Sequence, residues 1–403
     1  MSKIAVVLSF LLLVVASCLG SGRREAPPQA PTASGPVEDD QSAGTLAMGQ
    51  NTFRFETFGG EAYWTDQARM HEVIAQSVSP TLALKSGLKV DSEVIPEAMA
   101  TALKGGRVDL DDPATTVALL KLNAIVGLHG KVESRHGEDE LVEVGITCAL
   151  CHSTVDDSFM PGMGRRQDGW PNRDLDVGAI IALSPALTPE QKAIYSSWGP
   201  GKYDPRYNQD GQSTPLVLPP TYGLAGVTHG TYTGEGSMSY WNAYVAVTQM
   251  HGQGNFFDAR LGVDVRKTPD QVAEKLPALR AYQHSLQTPK PPAGSFDAVA
   301  AARGKTAFAE SCVGCHVSGT GTDNNTGTLH APEVTGMDGS YAARTTTKRY
   351  RTTPLRGLWQ HPPYFHDGSA ATLAAVVDHY DHVRNLKLEA GQRSDLVEYL
   401  KSL

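Results

Sequence analysis

The chain has 403 residues, of which 40% are hydrophobic and 19% charged, and its formal net charge is -8 at pH 7. This composition is typical of a globular protein and excludes a disordered, collagen-like or polytopic membrane chain. The negative charge and the lack of long basic runs argue against nucleic acid as a partner, while 40 glycines and 25 prolines predict long loops.

The N-terminal segment has the features of an export signal. Lys3 precedes an apolar run over 4–16 that ends in small residues. Because a transmembrane helix needs about 20 apolar residues, we predict a cleaved signal peptide over residues 1–17. Val15-Ala16-Ser17-Cys18 resembles the lipobox of bacterial lipoproteins, in which the cysteine carries the lipid. We expect a lipid-anchored protein of the periplasm or cell envelope; ordinary cleavage nearby is the alternative.

Residues 18–50 predict a flexible tether, because they contain four prolines and almost no large apolar side chain. The first domain is expected over 51–288. A Pro-rich linker follows at 288–294, and a second domain is expected over 295–403.

Three helix starts are predicted in the first domain by a capping residue followed by proline. They lie at Asp112-Pro113, Thr188-Pro189 and Thr268-Pro269, and the latter two fit a capping box. No sustained strand alternation is evident, so the body is expected to be mainly α. Residues 197–262, rich in Gly, Pro, Thr and aromatic residues, are interpreted as a loop-rich insertion.

The second domain is expected to begin and end with helices. Ser295 is the predicted cap of a helix that runs almost directly to Cys312, and the last helix is predicted from about Gln392.

Two C-x-x-C-H motifs indicate the chemistry. They are Cys148-Ala149-Leu150-Cys151-His152 and Cys312-Val313-Gly314-Cys315-His316. This is the attachment sequence of c-type haem: two thiols reach the vinyl groups, and the histidine is the proximal iron ligand. A shared zinc site and a thioredoxin-type redox motif are the alternatives. The first is disfavoured because the motifs are far apart in sequence, and the second because no βαβ pattern accompanies them.

A longer segment resembles a known family. Residues 353–373, which include the run PYFHDGSAATL, are similar to the signature of the bacterial di-haem cytochrome c peroxidase superfamily, which includes the methylamine dehydrogenase maturation enzyme. The resemblance covers 295–403 and weakens toward the first motif. It implies two cytochrome-c-like helical haem domains with long loops and two covalently bound haems that exchange electrons. Residues 165–170, RRQDGW, depart from the FWDGR stretch that precedes the distal glutamate of the peroxidases.

The distal ligands decide between electron transfer and catalysis, because an open iron position can bind peroxide. For the second haem, the resemblance implies Tyr380, at a position where the peroxidases have methionine and the maturation enzyme has tyrosine. Met337, which is the only methionine after the second motif, and His366 are the competing candidates. For the first haem the candidates are His251 and His71.

The resemblance also implies calcium near the carbonyls of His361 and Pro363. The leading hypothesis is a di-haem c-type cytochrome that carries electrons to or from a redox partner. The alternative is a di-haem oxidoreductase of peroxidase type that acts on peroxide or an unknown substrate.

Overall fold

The computed structural model describes residues 39–403. The predicted signal peptide, Cys18 and the tether as far as residue 38 lie outside the described residues. Helices are the main elements of the described part, as predicted, and its strands form small two-stranded sheets. None of the helices within 39–403 is both long and apolar enough to cross a membrane.

The α-helices, in chain order, are α1 Ala43–Phe55, α2 Met70–Ser77, α3 Pro80–Lys85, α4 Glu97–Lys104, α5 Pro113–Lys121, α6 Ala149–His152, α7 Val177–Ala182, α8 Pro189–Ser196, α9 Tyr207–Asp210, α10 Met238–Tyr244, α11 Leu276–Ser285, α12 Ala298–Ser311, α13 Pro332–Thr335, α14 Ser340–Ala343, α15 Leu373–Arg384 and α16 Ala390–Lys401.

The strands are β1 Val90–Asp91, β2 Leu128–Arg135, β3 Glu138–Ile146, β4 Ser153–Val155, β5 Met163–Gly164, β6 Arg166–Asp168, β7 Lys202–Tyr203, β8 Leu216–Val217, β9 Phe256–Asp258 and β10 Val263–Val265. β1 pairs with β5 in parallel, and the other four pairs (β2 with β3, β4 with β6, β7 with β8, β9 with β10) are antiparallel.

Helix α1 shows that the predicted end of the tether is wrong. The Ser42 hydroxyl accepts a hydrogen bond from the Thr45 amide at 3.3 Å and caps the helix. Phe53 is fully buried, and a side chain at Gly49 would lie 2.0 Å from the Ala278 carbonyl oxygen. Residues 43–50 therefore belong to a helix that packs closely against α11.

The capping signals predicted two of the three helix starts correctly. The Asp112 carboxylate caps α5 by accepting from the Ala114 amide at 2.9 Å, and Thr188 forms the predicted capping box of α8. The prediction at Thr268-Pro269 is wrong. Asp270 accepts from the amides of Val272 and Ala273 instead, and α11 begins only at Leu276.

In the C-terminal part, α12 begins close to its predicted start, but Asp297 caps it in place of Ser295. The Asp297 carboxylate accepts from the amides of Val299 and Ala300. The last helix, α16, begins at Ala390 after a capping box made by Glu389. Gly304 on α12 lies so close to α16 that a Cβ there would be 2.0 Å from the Asp395 carbonyl oxygen. The two helices therefore pack almost backbone to backbone.

The β2–β3 hairpin was missed by the sequence analysis. Leu128 pairs with Ile146, and the register shifts by a bulge between Lys131 and Val132. The bulge and the charged, exposed turn interrupt the alternation that identifies a strand. The hairpin ends two residues before Cys148 and leads the chain into the first motif.

Residues 197–262 are not an insertion. Tyr240, Trp241 and Tyr244 of α10 are buried in a core with Phe53 and Leu279. Leu216 belongs to a separate cluster with Tyr341, Ala342 and Tyr350 of the C-terminal half. This stretch therefore packs into both halves of the protein and joins them.

Buried ion pairs reinforce the junction between the halves. The Arg344 guanidinium binds Asp204 at 2.7 Å and Asp210 at 2.8 Å, and the side chains of Arg344 and Asp204 are 2% and 0% exposed. Next to them, Arg206 binds Glu235. Removing one partner of such a pair would leave a buried charge uncompensated, at a cost of about 3–5 kcal/mol.

Candidate haem-binding sites

The second motif forms one helical turn at the end of α12. The Cys312 amide donates to the Phe308 carbonyl at 2.8 Å, and the His316 amide donates to the Cys312 carbonyl at 3.0 Å. Residues four apart in such a turn lie on one face, so Cys312 and His316 share a side. Burial raises the pKa of the Cys312 thiol to about 11.

The His316 ring is oriented by the backbone. Its Nδ1 lies 3.1 Å from the carbonyl oxygen of Gly321. A carbonyl can only accept, so Nδ1 carries the proton and Nε2 keeps its lone pair for a metal. Burial lowers the pKa of His316, which keeps the ring neutral. This arrangement is that of an iron-ligating histidine with its outer partner.

A cavity of about 280 Å³ adjoins the second motif. Cys312, Cys315 and His316 form part of its wall, and Pro219 and Tyr222 contribute from the N-terminal half. Most of the remaining wall is apolar. Its charged residues are four arginines, with no aspartate or glutamate among the residues that line it. The donor set and the apolar wall fit a c-type haem.

Tyr380 and Met337 both line this cavity. Tyr380 lies on α15, and no group within residues 39–403 forms a hydrogen bond with its hydroxyl. Burial raises the pKa of Tyr380 to about 12. Met337 follows α13 and packs against the cluster of Leu216, Tyr341 and Tyr350. The structure thus brings both candidates to the same space as the second motif.

His366 also lines the cavity, but one of its ring nitrogens is engaged. His366 Nε2 lies 3.0 Å from the Tyr350 hydroxyl, and the two rings are tilted by 33° with centroids 4.5 Å apart. The His366 carbonyl accepts from the Val217 amide at 2.8 Å, which ties this loop to the N-terminal half. Ligation through Nε2 would require the bond to Tyr350 to break.

The first motif lies on the short helix α6 and repeats the histidine geometry. His152 Nδ1 is 3.1 Å from the Pro219 carbonyl oxygen, the same distance as in the second motif. Burial lowers the pKa of His152 to about 4, so its Nε2 lone pair is available at neutral pH. Burial also raises the pKa of Cys148 and Cys151 to about 12.

Gly127 positions the first motif from the preceding segment. Its φ is +84°, and a Cβ there would lie 2.1 Å from the Leu150 Cα, inside the motif. A residue with a side chain cannot occupy this place without displacing the motif. The Cys148–His152 turn is therefore held against the start of the β2–β3 hairpin.

The string RRQDGW supports the same motif from the other side. β6 pairs with β4, and the Gly169 amide donates to the His152 carbonyl at 2.8 Å. The Asp168 carboxylate accepts from Ser153 at 2.8 Å and pairs with Arg54 at 2.6 Å. The string that departs from the peroxidase pattern thus holds the backbone around His152.

His251 and His71 are placed differently from each other. The His251 ring is stacked on Tyr63 with centroids 3.4 Å apart, and burial lowers the pKa of His251 to about 4. His71 lies at the start of α2, and its buried Nδ1 has no hydrogen-bond partner among the described residues. No hydrogen bond or ring contact within 39–403 joins either histidine to the Cys148–His152 motif.

The two C-x-x-C pairs do not converge on a common zinc site. Within the described part of the chain, the group whose ligand atoms lie close enough for one metal is Cys315, Asp323 and His330. It takes one cysteine from the second motif and none from the first. The alternative of a zinc site shared by both motifs is therefore wrong.

Several residues of the sites carry no signal in the sequence. Pro219, whose carbonyl orients His152, also lines the cavity of the second motif. Arg173 and Arg351 line the same cavity from different halves of the chain. They reach the sites through tertiary packing, which local spacing does not reveal.

Comparison with known proteins supports the C-terminal site. Residues 301–403 match the family model of cytochrome c. No curated protein matches the chain. Among solved structures, hydrazine synthase of Kuenenia stuttgartiensis is similar at 18% identity and a TM-score of 0.34, covering 47% of this chain and 73% of that chain. A MauG-like protein associated with microbial copper homeostasis is similar at 19% identity and a TM-score of 0.33, covering 48% and 74%.

At such TM-scores the two structural likenesses carry no argument about function. The family match supports haem-based redox chemistry and a covalently bound c-type haem for residues 301–403.

Proposed function

We propose that the protein is an exported c-type cytochrome with two covalently bound haems, which carries electrons in the bacterial cell envelope. The observation that carries this proposal is the repeated histidine geometry. In both motifs Nδ1 donates to a backbone carbonyl at 3.1 Å, which leaves Nε2 for iron. Cys148 and Cys151 would hold one haem and Cys312 and Cys315 the other. Each bound haem would supply a one-electron Fe²⁺/Fe³⁺ couple.

Pro219 supports electron exchange between the two sites. Its carbonyl accepts a hydrogen bond from His152 Nδ1, and the same residue forms part of the cavity wall at the second motif. The two sites are therefore adjacent, because Pro219 contacts both of them. Electrons could then pass through the protein from one redox partner to another.

A second candidate function is a di-haem oxidoreductase of the cytochrome c peroxidase type, acting on peroxide or another substrate. If neither His251 nor His71 ligates the iron held by His152, that iron would keep an open position for a substrate. The resemblance of residues 353–373 to the di-haem peroxidase superfamily supports the same candidate.

We also propose that Cys18 carries a lipid that anchors the protein to a membrane. The lipobox-like string Val15-Ala16-Ser17-Cys18 supports this proposal. The Pro-rich segment after it would act as a spacer between the membrane and the folded part of the protein. A calcium ion near the carbonyls of His361 and Pro363 stays a prediction from the resemblance.

Intact mass and electron paramagnetic resonance test the function. Expressed in a host with haem-attachment machinery, the chain should carry two haem adducts, and replacing Cys148 and Cys151 with Ala should remove one. Two low-spin ferric signals support a carrier, whereas one high-spin signal supports the oxidoreductase. A chain without adducts at Cys148 and Cys312 rejects both functions.

A further inference from the structure

We propose that Arg173 and Arg351 form a carboxylate-binding site in the wall of the cavity at the second motif, and that the site holds the propionate groups of the haem bound there. The inference rests on the proposed function. It assigns a ligand to two side chains that otherwise lack a counter-charge.

The guanidinium groups of Arg173 and Arg351 are only partly satisfied by hydrogen bonds. Nε and Nη1 of Arg173 and Nε of Arg351 are shielded from solvent and have no hydrogen-bond partner in the described part of the chain. Neither arginine forms an ion pair with any carboxylate among residues 39–403. Burial lowers the pKa of both guanidinium groups, and that of Arg351 to about 10, so Arg351 carries a positive charge at pH 7.

Unpaired buried charges are unfavourable, and a native structure supplies them with a partner. Residues 39–403 offer no carboxylate partner here. The ionisable groups that influence Arg173 most are the tyrosines Tyr232, Tyr222 and Tyr364, and Arg351 is influenced by Tyr232. The missing partner must therefore enter the cavity as a ligand with at least one negative charge.

The other two arginines of the wall do not have this need. Arg356 donates to the carbonyls of Gly319 and Thr320 at 3.1 and 3.2 Å. Arg384 is exposed and reaches the Val334 carbonyl at 3.4 Å. The requirement for an anion is thus specific to Arg173 and Arg351.

A haem attached at Cys312 and Cys315 would bring the right chemistry. It carries two propionate carboxylates on the macrocycle, and planar guanidinium groups bind carboxylates through paired hydrogen bonds. Arg351 is already held on one side, because its Nη1 donates to the His229 carbonyl. Arg173 comes from the N-terminal half and Arg351 from the C-terminal half. The propionates would consequently connect both halves of the protein.

Spectroelectrochemical titration of the holoprotein at pH 7 tests the site. Loss of a positive charge beside the haem stabilises the ferric form, so Arg173→Gln and Arg351→Gln should each lower the same one of the two midpoint potentials. Arg173→Lys and Arg351→Lys should restore most of it. Arg349→Gln is the matched control, because Arg349 is exposed and lies two residues from Arg351. An equal shift in this control, or no shift in the two Gln variants, overturns the proposal.

Infrared difference spectra of the wild-type protein and the two Lys variants, each with ¹³C-labelled haem propionates, provide a second measurement that observes the carboxylates directly. Ionised propionate bands at pH 7 that move in both Lys variants support the site. Protonated propionate bands reject it. If a free anion occupies the site instead, added acetate shifts the wild-type potential saturably at constant ionic strength, and that result also rejects the assignment. A chain that carries the first haem but none at Cys312 overturns this inference together with the second haem of the proposed function.

Discussion

At the scale of single residues, the two motif histidines share the same outer partner, a backbone carbonyl. A carboxylate in that place would make the imidazole more basic and favour ferric iron. With neutral carbonyls of Pro219 and Gly321 in both sites, the proximal sides are alike. If both haems of the proposed function are bound, we expect differences between their irons to arise from the distal ligands and from nearby charges such as Arg173 and Arg351.

The distal ligand of the haem proposed at Cys312 and Cys315 can be identified by two substitutions. If Tyr380 is the ligand as phenolate, Tyr380→Phe should open the site and convert a low-spin ferric signal to high-spin. A phenolate favours ferric iron, so the potential should also rise on its loss. If Met337 is the ligand, Met337→Leu should change the spectrum and Tyr380→Phe should not.

Tyr399→Phe is the control for these spectra, because Tyr399 lies in the same core next to Phe308 and does not line the cavity. A change in the methionine variant alone rejects Tyr380. Spectra that are unchanged in both variants would point to His366, whose bond to Tyr350 would then have to open.

At the scale of elements, the features predicted correctly from the sequence are those that depend only on residues close together in the chain. Asp112 and Thr188 cap their helices because an oxygen three residues or fewer from the free amides can reach them. The C-x-x-C-H motifs were recognised for the same reason. The hairpin was missed because its bulge breaks the alternation, and α10 was missed because its burial depends on contacts with distant residues. The residues of the cavity wall could not be predicted from sequence spacing, because they come from distant parts of the chain.

The contact between the hairpin and the first motif gives an element-scale prediction. Gly127→Ala should reduce haem attachment at Cys148 and Cys151 and leave attachment at Cys312 and Cys315 intact. The added Cβ would overlap the Leu150 backbone at 2.1 Å and displace the motif. Haem stoichiometry by mass spectrometry of tryptic peptides measures both sites in one sample.

Gly137→Ala is the matched control for this experiment. Gly137 lies in the turn of the same hairpin with a φ of +89°, and a Cβ there would meet nothing within 4 Å. Both variants carry the backbone cost of an alanine in the left-handed region, about 1–2 kcal/mol. Equal haem loss in the two would show that hairpin stability, and not contact with the motif, controls attachment.

At the scale of the whole molecule, the two halves are joined by buried ion pairs and by the segment that contains Leu216 and Pro219. The Arg344–Asp204 pair and the cluster of Leu216 with Tyr341 connect residues far apart in the chain. This degree of burial predicts that the halves move as one unit. The described helix α1 adds that the chain before Ala43 leaves from the N-terminal half, beside α11.

The proposed membrane attachment is tested by fractionation of the whole protein. Cys18→Ser should move the protein from the membrane pellet to the soluble periplasmic fraction, because the lipid would be lost. Ser21→Ala, a change of similar size close by, should leave the protein in the pellet. A Cys18→Ser protein that still pellets would show that another contact holds the protein at the membrane.

Both halves of the protein contribute to the wall of the cavity at the second motif, so the C-terminal region is not self-contained. Residues 301–403 match a cytochrome c family on their own, yet Arg173, Pro219 and Tyr222 close part of the space in which their cofactor would sit. If this region were transplanted into another protein, it would keep the attachment cysteines. It would lose Pro219 and Tyr222, which shield the cavity from water, and the positive charge of Arg173. Water at an exposed macrocycle favours the ferric state. The haem of the excised region would thus have a lower midpoint potential than the same haem in the full chain.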